Sequence, residues 1–581
     1  MGMLRIVLVL ICTIIFNSNH AQTDSLLNPG KSQTIHLQAG AVLNFNLPLQ
    51  KGQTAIVNIE QLSIGIGYGL YAPSGKLFRF EDLNKVGQTE VIHVFAEESG
   101  NYRIQLFWDY DRPQEGDIQV KWVALANTPP TASTKANLLL NAWYPPNEPG
   151  MAIAVLQNNK VIFQQARGMA SLEHKVPVNA STLFELASVS KQFTGYAMAC
   201  LIAEGKIKLK DPIGTYLPEL PPYKDSVTVE QLIYHTSGIQ DWDDILYYMG
   251  RQPGDVLTTP MIMDMAKRSP DLLFTPGERF SYSNTNYNLL AYIIERVTGQ
   301  SFATCMKQKV FTAAGMTTAV VRDADETLVP QKAFAYKATA TGFQQAPDHI
   351  SAIGSTSVQA SMNDMVRWVQ FLESPYLFPN GVSQLLKRKT VLNNGDTLHG
   401  YAFGNGFEMK DGRSFIQHLG SVSAYRTIVA RYPKQQLAII YLANNHNDAA
   451  FVRASTLAGI FMGLKDEKTF DPVEFPDLNA SLSATKPFGP VVTESNIQPY
   501  AGSYLNDQLE SLFTITAEGK KLTAINTRKD SIYLREADKD LFVSNSPVMP
   551  HTFHFVKDAS GQIIGFILKG SEKDVFFRKL R

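Results

Sequence analysis

Apolar positions recur along the chain with two different periods, and the switches between them divide it into three parts. Over residues 22–126 the period is two: Thr34-Ile35-His36-Leu37-Gln38 alternates within 32–46, and short runs follow at 53–66, 67–71, 89–96, 101–108 and 116–124. Turn-forming text separates them, as in Pro73-Ser74-Gly75, Glu98-Ser99-Gly100 and Asp111-Arg112-Pro113. Short strands at this spacing predict an N-terminal β-sandwich. Residues 127–134, with Pro129 and Pro130, read as a linker. The middle part, 134–465, mixes periods. A helix is expected at 135–143 and a hairpin at 151–167, turning on Asn158-Asn159. Within 183–204, Phe193, Ala197, Met198, Leu201 and Ile202 fall at helical spacing, and Gly205 ends the run. Tyr287, Leu290, Ile294 and Val297 form another apolar face, closed by Gly299. Ser361-x-x-Asp364 is a capping box ahead of a helix at 364–372. Strands are expected at 401–410, 414–420, 425–432 and 436–443, then a helix at 449–462. Strands at both ends with helices between predict an α+β domain whose ends meet in one sheet. Residues 466–495, rich in Pro, Ser and Asp, read as a second linker. Period two returns at 512–517, 521–526, 531–536, 541–544, 552–557, 563–568 and 575–577, predicting a small β-barrel over 496–581.

Composition narrows the function classes. Lys plus Arg and Asp plus Glu both number 53, so no charged surface for nucleic acid is implied. No His-Glu-x-x-His and no Cys/His cluster occurs, and neither metal nor cofactor is expected. No Gly-x-Ser-x-Gly occurs either, against an ordinary α/β-hydrolase. Residues 1–21 read as a secretory signal: Arg5, an apolar run at 6–16, then Ala21 at a cleavage site. That run is shorter than the roughly 20 residues a membrane span needs. The expected product is exported, periplasmic or secreted, without a stable membrane span. Cys200 and Cys305 then remain, too few for a disulfide framework and read as buried small hydrophobes.

Three pairs of residues carry candidate chemistry. Ser188 and Lys191 lie three apart where a helix begins, and positions three apart share a helix face. The amine would sit beside the hydroxyl, near the positive end of the helix dipole. A serine nucleophile needs both a base and positive potential. Tyr282-x-Asn284 precedes the next helix, and His418-x-Gly420 lies on a strand. Alone, each is weak: Ser483-x-x-Lys486 and Tyr504-x-Asn506 repeat two of the patterns by chance. His235, in His235-Thr236-Ser237-Gly238, reads as a loop-organising histidine rather than a catalytic one.

In order, and with their flanking text FELASVSKQFT, LIYHTSGI and FTPGERFSYSNTNYNLLAYIIERVTG, these pairs resemble the serine β-lactamase superfamily, in its class C, penicillin-binding-protein and esterase branch. The resemblance covers roughly residues 134–464. It implies an acyl-enzyme on Ser188, with Lys191 and Tyr282 moving protons and the choice of base between them open. Asn284 would bond Lys191 and a substrate amide. The backbone N–H groups of Ser188 and Ser421 would form the oxyanion hole, where one donor contributes about 3 kcal/mol. Gly420 would let substrate approach its strand. The third motif departs from the β-lactamase pattern, in which Lys-Thr-Gly holds the antibiotic's carboxylate. Here His418 is mostly neutral at pH 7 and Leu419 has no hydroxyl. That favours cleavage of an ester or amide bond in a small molecule or peptide. Arg426 on the next strand is a candidate replacement cation. The alternatives are a DD-carboxypeptidase or weak β-lactamase and, from another class, a non-catalytic binding protein of the same fold; the intact Ser188, Lys191 and Tyr282 rank the last below an enzyme. Ser99-Gly-Asn-Tyr-Arg-Ile-Gln-Leu106 resembles the closing strand of pre-peptidase C-terminal jelly rolls, and the C-terminal part resembles a lipocalin-like module serving as cap or spacer.

Overall fold

The computed structural model describes residues 23–464 and 496–580, apart from 27, 39–41, 82–85, 109–114, 250–253, 340, 411–412, 447–448, 510, 520, 527–530, 545–551 and 570–573. The segments expected to be a leader (1–21), a linker (466–495, with Ser483-x-x-Lys486) and a turn (111–113) lie outside the described residues.

The middle part is built on one antiparallel seven-stranded sheet. Its order is Lys160–Arg167, Met151–Gln157, Leu437–Ala443, Tyr425–Tyr432, Arg413–Val422, Asn405–Lys410 and Tyr401–Ala402. The first hairpin pairs with the last strand, Met151 opposite Ala443 and Gln157 opposite Leu437. So the two ends of the α+β part do meet in one sheet. The apolar runs MAIAVLQ and LAIIYLA do not alternate because both faces are covered. Met151, Ile153 and Val155 pack with the helices Ala132–Trp143 and Ala449–Phe461 on one face. Ala152, Ala154 and Leu156 join the larger core beneath the remaining helices on the other. Each large apolar side chain buried this way contributes roughly 1.5–3 kcal/mol. The hairpin turn uses Asn158 and Asn159 at φ +51° and +61°, the left-handed region that Asn tolerates.

Residues 23–127 form two sheets, one of five strands and one of four, around Phe45, Leu47, Ile59, Ile104 and Trp122. The strands Thr23–Leu26 and Leu77–Glu81 are additions to the expected set, and 32–46 divides into Ser32–Leu37 and Leu43–Leu49. Val91 and Phe95 pack against the helix-covered face of the seven-stranded sheet, and Gln88 Nε2 donates to His446 O at 3.1 Å.

The C-terminal part is a closed eight-stranded barrel, which Gly502–Asn506 completes by pairing with Val575–Lys579. Phe513, Phe553, Phe555, Phe566 and Phe577 fill its interior, with the rings of Phe566 and Phe577 stacked at 4.9 Å. A barrel plugged by aromatic rings has no room for a ligand at its axis.

Candidate active site

The strand Leu183–Glu185 leads into a tight 3₁₀ turn, Ala187–Val189, and the α-helix Ser190–Ala203 starts only after it. Ser188 therefore sits in the turn before the helix, not within its first turn. The expected adjacency survives: Lys191 Nζ donates to Ser188 Oγ at 3.1 Å. The helix is buried on nearly every side, so its outward face carries no polar stripe. Gly195 allows this: a Cβ there would lie 2.2 Å from Phe403 O. Gly404, at φ +76°, likewise sits against Lys191 O.

Lys191 is completely buried and has three acceptors: Asn284 Oδ1 at 2.7 Å, Ser355 O at 3.0 Å and Ser188 Oγ at 3.1 Å. As an ammonium it has one proton for each. As an amine it has two, and the third direction becomes a lone pair that the Ser188 hydroxyl can donate to. Burial pushes Lys191 down from its usual range to about 7, with the Asp241 charge opposing the fall. Both protonation states are therefore within reach near neutrality.

Tyr282 and Asn284 arrive from the start of the helix Asn284–Thr298, with Ser283 at the N-cap. Asn284 is thus the helix's first residue rather than part of the preceding loop. The Tyr282 hydroxyl hydrogen-bonds Ser188, and Lys191 Nζ lies 4.9 Å from the centre of its ring. Burial pushes the phenol well above its ordinary value. A standing tyrosinate is therefore disfavoured.

His235 is held as the sequence implies. It is fully buried at φ +54°, and its Nδ1 accepts from Ser283 N and the Asn286 amide, both at 3.2 Å. Its ring lies 4.5 Å from that of Tyr282, so the loop histidine braces the tyrosine. Burial lowers its pKa well below the usual range and keeps it neutral.

His418 is 1% exposed; its Nδ1 bonds Leu419 O at 2.7 Å and its Nε2 bonds the Tyr401 hydroxyl at 3.0 Å. Burial and the Lys191 charge push it down to about 3. It is a neutral imidazole with its ring fixed, not a cation for a carboxylate. Arg426 is also buried, at 3% exposure, with Nη1 donating to Tyr425 O. Gly420 makes room for the protein itself: a Cβ would meet Thr427 Oγ1 at 2.1 Å and Leu186 O at 2.4 Å. Ser421 lies next along the same strand and is exposed.

Asp241 was not singled out by the sequence. It follows the 235–238 loop by three residues, in a run, Gln240-Asp241-Trp242-Asp243, that matches no motif. Its Oδ2 accepts from Asn284 Nδ2 at 2.9 Å, so the Asn284 amide bridges Lys191 to a carboxylate. Burial pushes Asp241 up to about 6. Ser188, Tyr282, Asn284, Asp241 and Ser421 each keep some exposed surface, while Lys191 and His418 do not. Among the described residues no group of His, Cys, Asp and Glu is arranged to hold a metal.

The family model described as Beta-lactamase matches residues 145–459, more than half of the chain. The chain belongs to the beta-lactamase family. It is a serine hydrolase of that family. A D-aminopeptidase of Brucella anthropi is 28% identical over 317 residues, 54% of this chain and 60% of the relative. A D-aminopeptidase of Brucella canis is 28% identical over 316 residues, with the same coverage. The chain therefore spans about 60% of the length of these curated relatives. Among solved structures, an octameric penicillin-binding protein homologue from Pyrococcus abyssi is 20% identical with a TM-score of 0.49, covering 76% of this chain and 98% of the other. A D-amino acid amidase from Ochrobactrum anthropi SV3, complexed with L-phenylalanine amide, is 20% identical with a TM-score of 0.46, covering 53% and 91%.

Proposed function

We propose that the protein is an exported amidase or peptidase that releases a residue with a free amino group, through an acyl-enzyme on Ser188. The observation that carries the reading is the Lys191 amine, buried, depressed toward neutrality and directed at Ser188 Oγ. In the neutral state Lys191 takes the Ser188 proton as Oγ attacks the amide carbon. The negative charge on the carbonyl oxygen falls to the backbone N–H groups of Ser188 and Ser421. Tyr282, neutral and bonded to Ser188, passes its proton to the leaving nitrogen and recovers one from the Lys191 ammonium, so that both are neutral in the acyl-enzyme. Water then takes the leaving group's place and the same transfers run in reverse.

Asp241 favours an amine-bearing substrate over a carboxylate-bearing one. It puts a partly exposed carboxylate beside Asn284, while His418 offers no positive charge where an antibiotic carboxylate would need one. The relatives named D-aminopeptidase support the D-configuration at the acyl residue. Location outside the cytoplasm rests on the leader read at 1–21. The test is a panel of D-alanine p-nitroanilide, its N-acetylated form, its L-isomer and nitrocefin. The expected ranking places the free D-amino compound first, with N-acetylation and Asp241→Asn each costing about 100-fold in kcat/KM. Nitrocefin turned over faster than the anilide, or indifference to N-acetylation, would overturn the reading.

A further inference from the structure

Glu185 is a buried acid close to Ser188 that no proton transfer above employs. It ends the strand Leu183–Glu185 and is 2% exposed. Its Oε1 accepts two backbone N–H groups, Ala187 at 3.0 Å and Ser357 at 2.8 Å, and its Oε2 accepts from the Gln359 amide. The two donors are unusual. Ala187 has φ +50° and Ser357 φ +77°, left-handed backbone at residues that are not glycine. Such residues hold that conformation only where their surroundings impose it.

The peptide between Leu186 and Ala187 is fixed at both ends. Its N–H goes to Glu185, and its carbonyl, Leu186 O, accepts from Thr427 Oγ1 at 2.7 Å. Ser188 is the next residue. On the other side, Ser357 lies two residues after Ser355, whose carbonyl holds Lys191 at 3.0 Å. One carboxyl oxygen thus ties the turn that carries the nucleophile to the loop that anchors its base.

We infer that Glu185 is a positioning residue: by accepting from Ala187 and Ser357 together it sets the placement of Ser188 relative to Lys191, and it transfers no proton in the reaction. The inference rests on the acyl-transfer reading. It makes reach, not charge, the requirement. Burial, reinforced by Asp348 and opposed by Lys332, already raises this carboxyl to about 7, so its neutral form is populated at ordinary pH. A glutamine offers the same acceptor at the same distance. Gln359 Oε1 has no hydrogen-bond partner, so that amide can turn over to accept from the new NH₂. An aspartate carries the charge but falls about 1.5 Å short.

The test uses the full chain with Glu185→Gln, Glu185→Asp and Glu185→Ala. It measures the rate of Ser188 labelling by a fluorophosphonate, kcat and KM on D-alanine p-nitroanilide, and a thermal melt. Glu185→Gln is expected within about 5-fold of wild type; the Asp and Ala variants lose about 100-fold in kcat and labelling rate with KM nearly unchanged. Asp and Ala variants at the wild-type rate overturn the inference. So does a Gln variant as slow as Ala, which would make the charge itself the requirement. If Glu185→Ala does not fold, the order of Gln and Asp decides alone. Wild type that fails to label defeats the acyl-transfer reading; wild type and Glu185→Asp labelling equally fast defeats only the role of Glu185.

Discussion

Lys191 gathers the chemistry of this site at the residue scale, because its three acceptors count its protons. The activity it supports requires the amine, so kcat/KM on an uncharged ester should rise with pH through about 7 and then level. His418 should add no inflection above pH 5, being neutral there already. Lys191→Met should abolish the profile along with about 10³–10⁴ of the rate. The same shift governs stability. The folded pKa of Lys191 lies below its unfolded value, so between pH 7 and 10.5 the unfolded chain binds more protons and the lysine's contribution improves as pH rises. Lowering the pH through that window makes the buried lysine progressively less favourable. The stability of Lys191→Met relative to wild type should therefore increase as pH falls from 10 to 7 and flatten below. Denaturant midpoints across that range check the sign. Glu185 runs the other way: its raised pKa makes its contribution largest below pH 4.5 and lost as pH rises through 7.

At the scale of elements, the helix Ser190–Ala203 meets the Phe403–Gly404 turn, and the strand Arg413–Val422 meets the Leu186–Ala187 turn, at residues with no side chain. Gly195 lies in the middle of the helix, where alanine would ordinarily gain about 1 kcal/mol from propensity. Its Cβ would press on the carbonyl of Phe403 at 2.2 Å. Overpacking of this kind typically costs about 1–3 kcal/mol. Gly195→Ala is therefore expected to destabilise the protein, against the propensity rule, in a urea melt; a gain in stability would show that the Phe403–Gly404 loop yields freely. The same elements show what a sequence discloses. The order Ser188, Lys191, Tyr282, Asn284, His418, Gly420 was legible because each residue is fixed by local spacing on a helix, cap or strand. Asp241 was not: its meaning comes from Asn284, 43 residues away, and from burial that no local pattern records. Glu185 stood inside a recognised motif, yet its two bonds run to Ala187 and to distant Ser357. The 3₁₀ geometry around Ser188 escaped periodicity because three residues are too few to show a period.

For the whole molecule, the barrel meets the catalytic part at its rim and not through its axis. Leu509 packs against the cluster of Trp242, Ile245 and Leu257, directly after Asp241 in the catalytic part. A cavity of about 310 Å³ lies between barrel and catalytic part, lined by Gln240, Asp271, Asn506, Asp507, Phe576 and Arg578. The rim thus reaches Gln240, the chain neighbour of Asp241. Leu509→Asp should loosen the contact, leave turnover of a single-residue amide nearly unchanged, and raise kcat/KM for tripeptides relative to it. An unchanged ratio would reduce the barrel to a spacer.

Everything above depends on Ser188 becoming acylated. Intact-protein mass spectrometry after brief exposure to an activated ester or fluorophosphonate tests that most directly. One adduct per chain is predicted, mapping to Ser188, absent in Ser188→Ala and retained in Ser483→Ala. An unmodified wild-type chain, or an adduct that persists in Ser188→Ala, would contradict it.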